Sequence, residues 1–456
     1  MTAQDADVDL LVAGAGAAGC AAALAAAEQS LTVVLVDADE QFRRGSNTSM
    51  STSMIPAGGS RWQRDAGIED SPRQFYDDIM RKTQGQADET VARALVTVAP
   101  ELVAWLADAC GLPLSLVTDF RYPGHTVDRC HAVPDRAGVT MHGHLLDAVE
   151  SSDRITLMVP MALTGVDADE NGAITAAQVA PPDGGSETVE VNGVVLATNG
   201  YGADKDLVAR YAPDIADGVY FGGEYSRGDA LRIGSELGAD SVYLDAYQGH
   251  GSLAHPHGIL LTWATVMHGA VLMNADGRRF ADETEGYSEF GARTLAQPGG
   301  LAWMIYDTRI HEAAQPFADY QALQGADAIK WADDVDGLAA IIGADVVTLA
   351  ATLDAADAAA RGQSEDPHGR TEWEAPLAAP FAAVKVTGAL FHTQGGLRVD
   401  DEARVLRDGG PIAGCYAAGG AAVGISGHGA GGYLAGNGLL SALGLGYIAG
   451  RAAARA

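Results

Sequence analysis

Residues 8–37 begin Val8-Asp9-Leu10-Leu11-Val12-Ala13-Gly14-Ala15-Gly16-Ala17-Ala18-Gly19, continue through an alanine-rich stretch, and close on Leu31-Thr32-Val33-Val34-Leu35-Val36-Asp37. An apolar run meets glycines at Gly-x-Gly-x-x-Gly spacing. A helix-forming segment and a second apolar run follow, and the second run ends in an acid. The order predicts strand, tight turn, helix and strand. Gly14 permits the turn, Gly16 lets backbone approach a pyrophosphate, and Gly19 lets the helix lie close to the sheet. The helix start brings N–H groups and a positive dipole end to the phosphates. Asp37 stands where a carboxylate accepts hydrogen bonds from a ribose. The segment is expected to bind a dinucleotide rather than to serve as an ordinary βαβ turn.

Composition narrows the classes. A chain of 456 residues can bury a large core and is long enough for two domains. A net charge of −31 disfavours nucleic acid and anionic membranes as partners. It also means that an anionic substrate needs a local basic pocket. Cys20, Cys110, Cys130 and Cys415 are scattered without a Cys-x-x-Cys pair. That argues against a disulfide framework, a zinc site or a redox dithiol, and fits a reduced cytoplasmic setting. The apolar run Val8 to Ala27 lacks a basic flank, and its glycines fall at phosphate-turn spacing. No other run is expected to span a bilayer.

Residues 44–60 form a small-residue loop. Ser71 and Pro72 start one helix, and Glu89 to Cys110 shows helical apolar spacing. Residues 154–198 alternate apolar and polar with turns at Asn171-Gly172 and Pro181 to Gly185, which predicts a β-meander. It ends at the apolar Val194-Val195-Leu196-Ala197. From Asp229 to Pro380 aspartate- and alanine-rich helices mix with short strands. The expected architecture is α/β: a Rossmann-like cofactor domain from both chain ends (residues 1–228 and 381–456) with an inserted α+β cap (229–380). Such insertions tend to place a site at the domain interface.

A second glycine cluster runs from Gly414 to Gly420 and from Gly427 to Gly438, and a helix follows to about Arg451. Glycines admit close approach of backbone to a flat ligand. The new helix directs N–H groups at that ligand. A nicotinamide does not need this segment. A flavin does, because its pyrimidine edge benefits from a helix dipole when reduced.

With these motifs, the SNTSMSTSMIPAGG loop from Ser46 and the VVLATNGYG run from Val194, the chain resembles the FAD-dependent fumarate reductase/succinate dehydrogenase flavoprotein superfamily, which includes the 3-ketosteroid dehydrogenases. The resemblance covers nearly the whole chain. It implies one FAD, a cap over the isoalloxazine, and hydride transfer between a substrate carbon and flavin N5. By position it implies that Gly14, Ala15, Gly16, Ala18 and Gly19 hold the pyrophosphate and Asp37 the ribose. Asn47, Thr48, Ser49, Ala57, Gly58 and Gly59 would line the flavin, and Gly419, Gly438, Leu439 and Leu440 would close its other side. Gly420 stands where the family often has an acid for the ribitol. The 46–54 loop has no histidine, so the FAD is expected to be non-covalent.

The family divides at its catalytic residues. Fumarate-type members place an arginine proton donor shortly after an R-F-x-x-E segment. Here Arg279-Phe280-Ala281-Asp282-Glu283 is followed by Tyr287. Ketosteroid dehydrogenases resemble this, with a tyrosine that takes a proton α to the ketone. The fumarate-type arginine of H-G-A-N-R-L-G-G-N is also missing from His428 to Asn437. Tyr433 and Gly436 instead match the tyrosine and glycine N–H that polarise a ketone oxygen. Desaturation beside a ketone needs such donors, a base, and a hydride acceptor within reach. His392, in Phe391-His392-Thr393-Gln394-Gly395-Gly396, resembles a fumarate-type carboxylate-binding histidine. His250, followed by Thr262, resembles a second one.

The mixture suggests a small cyclic ketone or keto acid as substrate, with an external electron acceptor. The alternatives are a fumarate reductase-like enzyme of carboxylic acids and a 3-ketosteroid dehydrogenase proper. A tRNA-modifying flavoprotein lacks its basic face here, and a NAD(P)H-using monooxygenase lacks a second dinucleotide motif. Phe120-Arg121-Tyr122-Pro123-Gly124-His125, with Arg129, His131 and Arg136, is locally basic. It could form an anion pocket, and Tyr122 could assist Tyr287. No metal site is expected.

Overall fold

The computed structural model describes residues 8–455 apart from Phe120 and Pro123, two residues of the basic cluster that lie outside the described set. The chain forms two compact units. The first holds residues up to 212, 222–248 and 391–456; the second holds 213–221 and 249–390.

In the first unit β1 (Leu10–Ala13), α1 (Ala17–Glu28) and β2 (Val33–Val36) follow the expected order. α2 (Pro72–Lys82) starts at an Ser71 cap and α3 (Glu89–Asp108) at an Asp88 cap, each side chain accepting a backbone N–H of the first turn. β3 (Ile155–Met158), β4 (Ala162–Ala168), β5 (Ile174–Ala180), β6 (Glu187–Glu190), β7 (Gly193–Leu196), β8 (Arg404–Arg407), β9 (Gly410–Ala417) and α4 (Asn437–Ala453) complete the elements used below. The main sheet has the order β8-β9-β7-β1-β2-β3. β1 pairs in parallel with β7 and β2, β2 with β3, and β7 with β9. Only the edge strand β8 is antiparallel. The central strands are buried along their whole length, as parallel strands covered on both faces must be.

The meander is shorter than expected. Only β4, β5 and β6 form an antiparallel sheet of their own. β3 and β7, at the two ends of the alternating stretch, join the parallel sheet instead. α3 also departs from expectation. It has the length and apolarity of a bilayer-crossing helix, with mean hydropathy 1.4 over its apolar window. Its apolar residues Val91, Leu95, Val96, Leu102, Val103 and Leu106 are buried in the core, and it packs on α2 and α4.

α1 is apolar all round because it is enclosed. Its partner α4 approaches so closely that a Cβ on Gly446 would lie 2.3 Å from the Ala18 carbonyl oxygen, and one on Gly450 2.3 Å from that of Ala22. Small residues on both helices permit this contact.

The second unit is built on a sheet with strands Tyr247–Ala254, Val271–Met273, Leu301–Asp307 and Phe381–Thr393; the first two residues of the first strand and the last three of the last are counted with the other unit. Alternation divides its core in two. Leu272, Met304, Tyr306, Val384 and Val386 face one apolar cluster. Val271, Met273, Trp303, Ile305 and Ala383 face the other. The expected boundaries at 228/229 and 380/381 move to 248/249 and 390/391. The reason is local: the helix Asp229–Glu236 packs on the strand Gly396–Leu397 of the first unit.

Candidate active site

The glycine turn is shaped by protein contacts at three points. Gly14 has φ +104°, and a Cβ there would lie 2.2 Å from the Ala197 carbonyl oxygen. A Cβ on Gly19 would lie 1.7 Å from the Gly14 carbonyl oxygen, so the helix can pack only on glycine. At Gly16 the neighbour is Thr48 Oγ1, 3.1 Å from such a Cβ. Thr48 also accepts the Ala17 N–H at 2.8 Å, so this helix-start donor is capped rather than open. Asp37 closes β2 and faces the turn. Its Oδ2 accepts the Ala15 N–H at 2.7 Å and its Oδ1 the Asp39 N–H at 2.9 Å. Burial raises its pKa. Two acceptor positions remain for ribose hydroxyls. Ala15 and Ala18 are buried beside the turn, and the Ala15 carbonyl faces His142 Nε2 at 2.8 Å.

In the following loop Asn47 donates to the Phe391 carbonyl at 3.2 Å and accepts the Gly223 N–H at 2.6 Å. Ser49 Oγ donates to the Ser46 carbonyl. Ala57 N–H donates to the Arg129 carbonyl and Gly59 N–H to Gln63 Oε1. A Cβ on Gly58 would lie 2.6 Å from the Ser71 carbonyl oxygen.

The C-terminal glycines correct a simple reading of their purpose. Cβ atoms at Gly420, Gly432, Gly436 and Gly438 would strike protein atoms and one at Gly419 would sit tightly against Ala18, whereas Gly429 and Gly431 have open space. Most of the cluster is therefore glycine for chain-on-chain packing. Leu440 is buried in the core and Leu439 is half-buried at the start of α4.

A polar ligand fits this cradle. Asn437, the first residue of α4, is fully buried, and both side-chain polar atoms lack a protein partner. Thr198 Oγ1 and Ser441 Oγ are likewise buried and unpartnered. Buried polar groups left unpaired cost about 1–3 kcal/mol each, so Asn437 and Ser441, one turn apart at the start of α4, call for a hydrogen-bonding occupant. The flavin of FAD has the carbonyls and ring nitrogens to supply it.

His392 and Tyr433 come together here. Their rings stand edge to face at 5.7 Å between centroids. Tyr433 Oη accepts the Gly438 N–H at 3.4 Å. Burial raises the Tyr433 pKa, which keeps the phenol protonated and able to donate. Burial pushes His392 down to about 4, so its imidazole is neutral at physiological pH. Gly436 caps α4 with φ +83° and is half-buried beside this group. Tyr122 packs on Met54, Val117, Cys130 and Ala132, and burial raises its pKa as well.

The expected anion pocket is neutralised from within. Arg129 is 1% exposed and bonds Asp70 and Asp78. Arg121 pairs with Asp128 and Arg136 with Asp119. His131 is held by Ser60 Oγ at 2.7 Å and the Ile55 carbonyl at 3.2 Å, and His125 by the Ala435 carbonyl at 3.1 Å.

The second unit brings Tyr287 and His250 together. Tyr287 is the first residue of the helix Tyr287–Leu295. The His250 ring stacks on it at 5.1 Å with 20° between planes. Trp263 meets His250 edge-on at 5.6 Å and Tyr287 at 6.4 Å. Burial pushes His250 down to about 3, and Ser252 Oγ lies 3.1 Å from its Nδ1. Thr262 Oγ1 accepts the Ala264 N–H. Sequence reasoning passed over Trp263, whose buried indole N–H has no protein partner; its signal was adjacency to Thr262.

Sequence reasoning also passed over the frame that holds Tyr287. Glu283 is fully buried and accepts from Arg279 at 2.9 and 2.7 Å, from Arg370 at 3.2 Å and from the Leu272 N–H at 3.0 Å. Arg279 also bonds Asp366. The R-F-x-x-E segment thus carries a buried ion network that ends at Glu283, four residues ahead of the tyrosine.

Relatives agree with this construction. The chain matches the FAD binding domain family over residues 9–439. It is 29% identical to a probable fumarate reductase, Ifc3, of Shewanella frigidimarina over 98% of this chain and 74% of that protein. It is 25% identical to 4-oxocyclohexanecarboxylate 2-dehydrogenase of Sinomonas cyclohexanicum over 97% of this chain and 92% of that protein. The crystal structure of a 3-ketosteroid-Δ4-(5α)-dehydrogenase from Rhodococcus jostii RHA1 superposes with a TM-score of 0.78 at 25% identity, covering 99% of this chain and 97% of the other. Further fumarate reductases recur among the relatives. The glycine turn, the unpartnered polar groups at α4 and these matches together establish that the chain belongs to the FAD-dependent fumarate reductase/succinate dehydrogenase flavoprotein superfamily and is an FAD-dependent oxidoreductase.

Proposed function

We propose that this oxidoreductase desaturates a carbon–carbon bond next to the ketone of a small cyclic keto acid. The observation that carries the reading is Tyr287 at the start of its helix, where fumarate-type members have arginine. The arginines nearby, Arg279 and Arg370 buried and Arg293 part-exposed, are already paired with carboxylates. Arg279 and Arg370 are committed to Glu283 and Asp366, and Arg293 pairs with Glu285. Tyr287 would accept the proton α to the ketone. The helix start brings backbone N–H groups and a positive dipole end to this residue. Tyr433 and the Gly436 N–H would donate to the ketone oxygen as enolate charge develops. His392 and His250 would receive the carboxylate, and Tyr122 would support the base. FAD, when bound, would supply the two-electron acceptor for the β-hydride, with an external acceptor to restore it. Gly14, Ala15, Gly16, Ala18, Gly19, Asp37, Asn47 to Ser49, Ala57 to Gly59, Gly419 and Gly438 to Leu440 would hold it without a covalent bond.

A second reading, reduction or dehydrogenation of an unsaturated carboxylic acid, is favoured by the fumarate reductases among the relatives and by the two histidines. A steady-state panel separates the two. Cyclic ketones with and without a carboxylate, and succinate, are compared with an artificial electron acceptor. The keto acid is expected to give the highest kcat/KM. Equal rates on the plain ketone would remove the carboxylate from the proposal, and turnover of succinate alone would favour the second reading.

A further inference from the structure

His392 is flanked by two polar residues that the proposed chemistry does not use. Its Nδ1 lies 2.9 Å from the side-chain nitrogen of Gln394. Ser426 Oγ lies 3.0 Å from Gln394 Oε1. Gln394 is 5% exposed and Ser426 1%. The Gln394 backbone is pinned on both sides, its N–H to the Ala246 carbonyl at 2.7 Å and its carbonyl to the Gly424 N–H at 2.8 Å. The opposite edge of the His392 ring faces α4. A Cβ on Gly438 would lie 3.0 Å from His392 Nε2 and 3.4 Å from Tyr433 Oη.

A carboxamide has a donor end and an acceptor end. The structure places the acceptor end of the Gln394 carboxamide against the Ser426 hydroxyl and its donor end against His392 Nδ1. A donor aimed at Nδ1 needs a lone pair there, so the one proton of the neutral imidazole sits on Nε2. The competing partner of Nδ1 is the Thr393 carbonyl at 3.4 Å. That is beyond the usual N–H···O range of about 2.7–3.2 Å, so the Gln394 contact decides the tautomer.

We infer that Gln394, oriented by Ser426, is a positioning residue that fixes His392 as its Nε2–H tautomer and presents that proton, beside the Tyr433 hydroxyl, to an acceptor oxygen of the substrate. The arrangement selects ligands with a carbonyl or carboxylate oxygen at this point and disfavours a hydroxyl that must donate. The inference rests on the reading of His392 as a substrate contact, but the tautomer is measurable without it.

The test uses the FAD-bound full chain labelled with 15N-histidine. Two-bond nitrogen–proton correlations report each ring's tautomer, and the His392 signals are those absent from H392N. The expected result is the Nε2–H form in the wild type and its loss in Q394M, a variant of similar volume. With 4-oxocyclohexanecarboxylate, Q394M is expected to raise KM about tenfold with kcat nearly unchanged, the scale of lost orienting contacts. An Nδ1–H tautomer in the wild type, or an unchanged Nε2–H tautomer in Q394M, overturns the inference. An Nε2–H tautomer that depends on Gln394, with KM unaltered in H392N, supports the positioning and overturns the substrate role of His392 instead.

Discussion

The surroundings of Tyr287 hold it still, as the base proposed for it requires. Its helix starts immediately after Gly286, whose φ of +141° turns the chain, and Glu283 anchors the preceding turn to Arg279 and Arg370. His250 covers one face of the phenol ring. Removing the hydroxyl keeps that stacking and removes the base. Tyr287→Phe is therefore expected to lower kcat at least about a hundredfold, at the lower end of what general bases contribute, while FAD stays bound. Absorbance of the purified variant checks the cofactor, and initial rates check the loss. Tyr287, Tyr433 and His392 stand out in the sequence as candidates because each falls at a fixed offset from a motif. Gln394, Trp263 and Asn437 do not. Their importance lies in contacts across the fold or in unpartnered atoms, which no local spacing records.

At the scale of elements, the glycines of α4 show where sequence reading reached its limit. A glycine-rich stretch reads equally as ligand approach or helix approach, and packing decides between them. Gly446 and Gly450 clear the carbonyls of Ala18 and Ala22, so α1 and α4 touch along their backbones. Gly446→Val should push the helices apart, cost about 1–3 kcal/mol by overpacking, and shift the turn that follows β1. A thermal melt should show a lower Tm, and dialysis should strip FAD faster than from the wild type. An unchanged melt would mean that the helices separate without cost. The strand-turn-helix-strand unit was readable because its pattern is local. The places of β3 and β7 in the parallel sheet were not, because alternation does not reveal a strand's distant partner. The same holds for the helix Asp229–Glu236, whose composition resembles the second unit but whose contacts lie in the first.

For the whole molecule, charge and buried histidines set the response to acid. His125, His131 and His392 are pushed down to about 4 and His250 to about 3, in each case chiefly by burial. An unfolded histidine titrates near about 6.5. Between these values the unfolded chain binds protons that the folded chain refuses, so stability falls as pH drops below about 6.5. Each histidine accounts for about 1 kcal/mol by pH 5.5. The net charge of −31 is not yet relieved there, because carboxylates stay ionised above about pH 5. Tm is expected to be several degrees lower at pH 5.5 than at pH 7.5. An equal or higher value at pH 5.5 would contradict the burial of these rings. The central claim, oxidation beside a ketone, is tested most directly by mixing the FAD-bound protein anaerobically with 4-oxocyclohexanecarboxylate or with succinate and following the visible flavin absorption. Bleaching by the keto acid and not by succinate is the expected result; bleaching by succinate and not by the keto acid would contradict it.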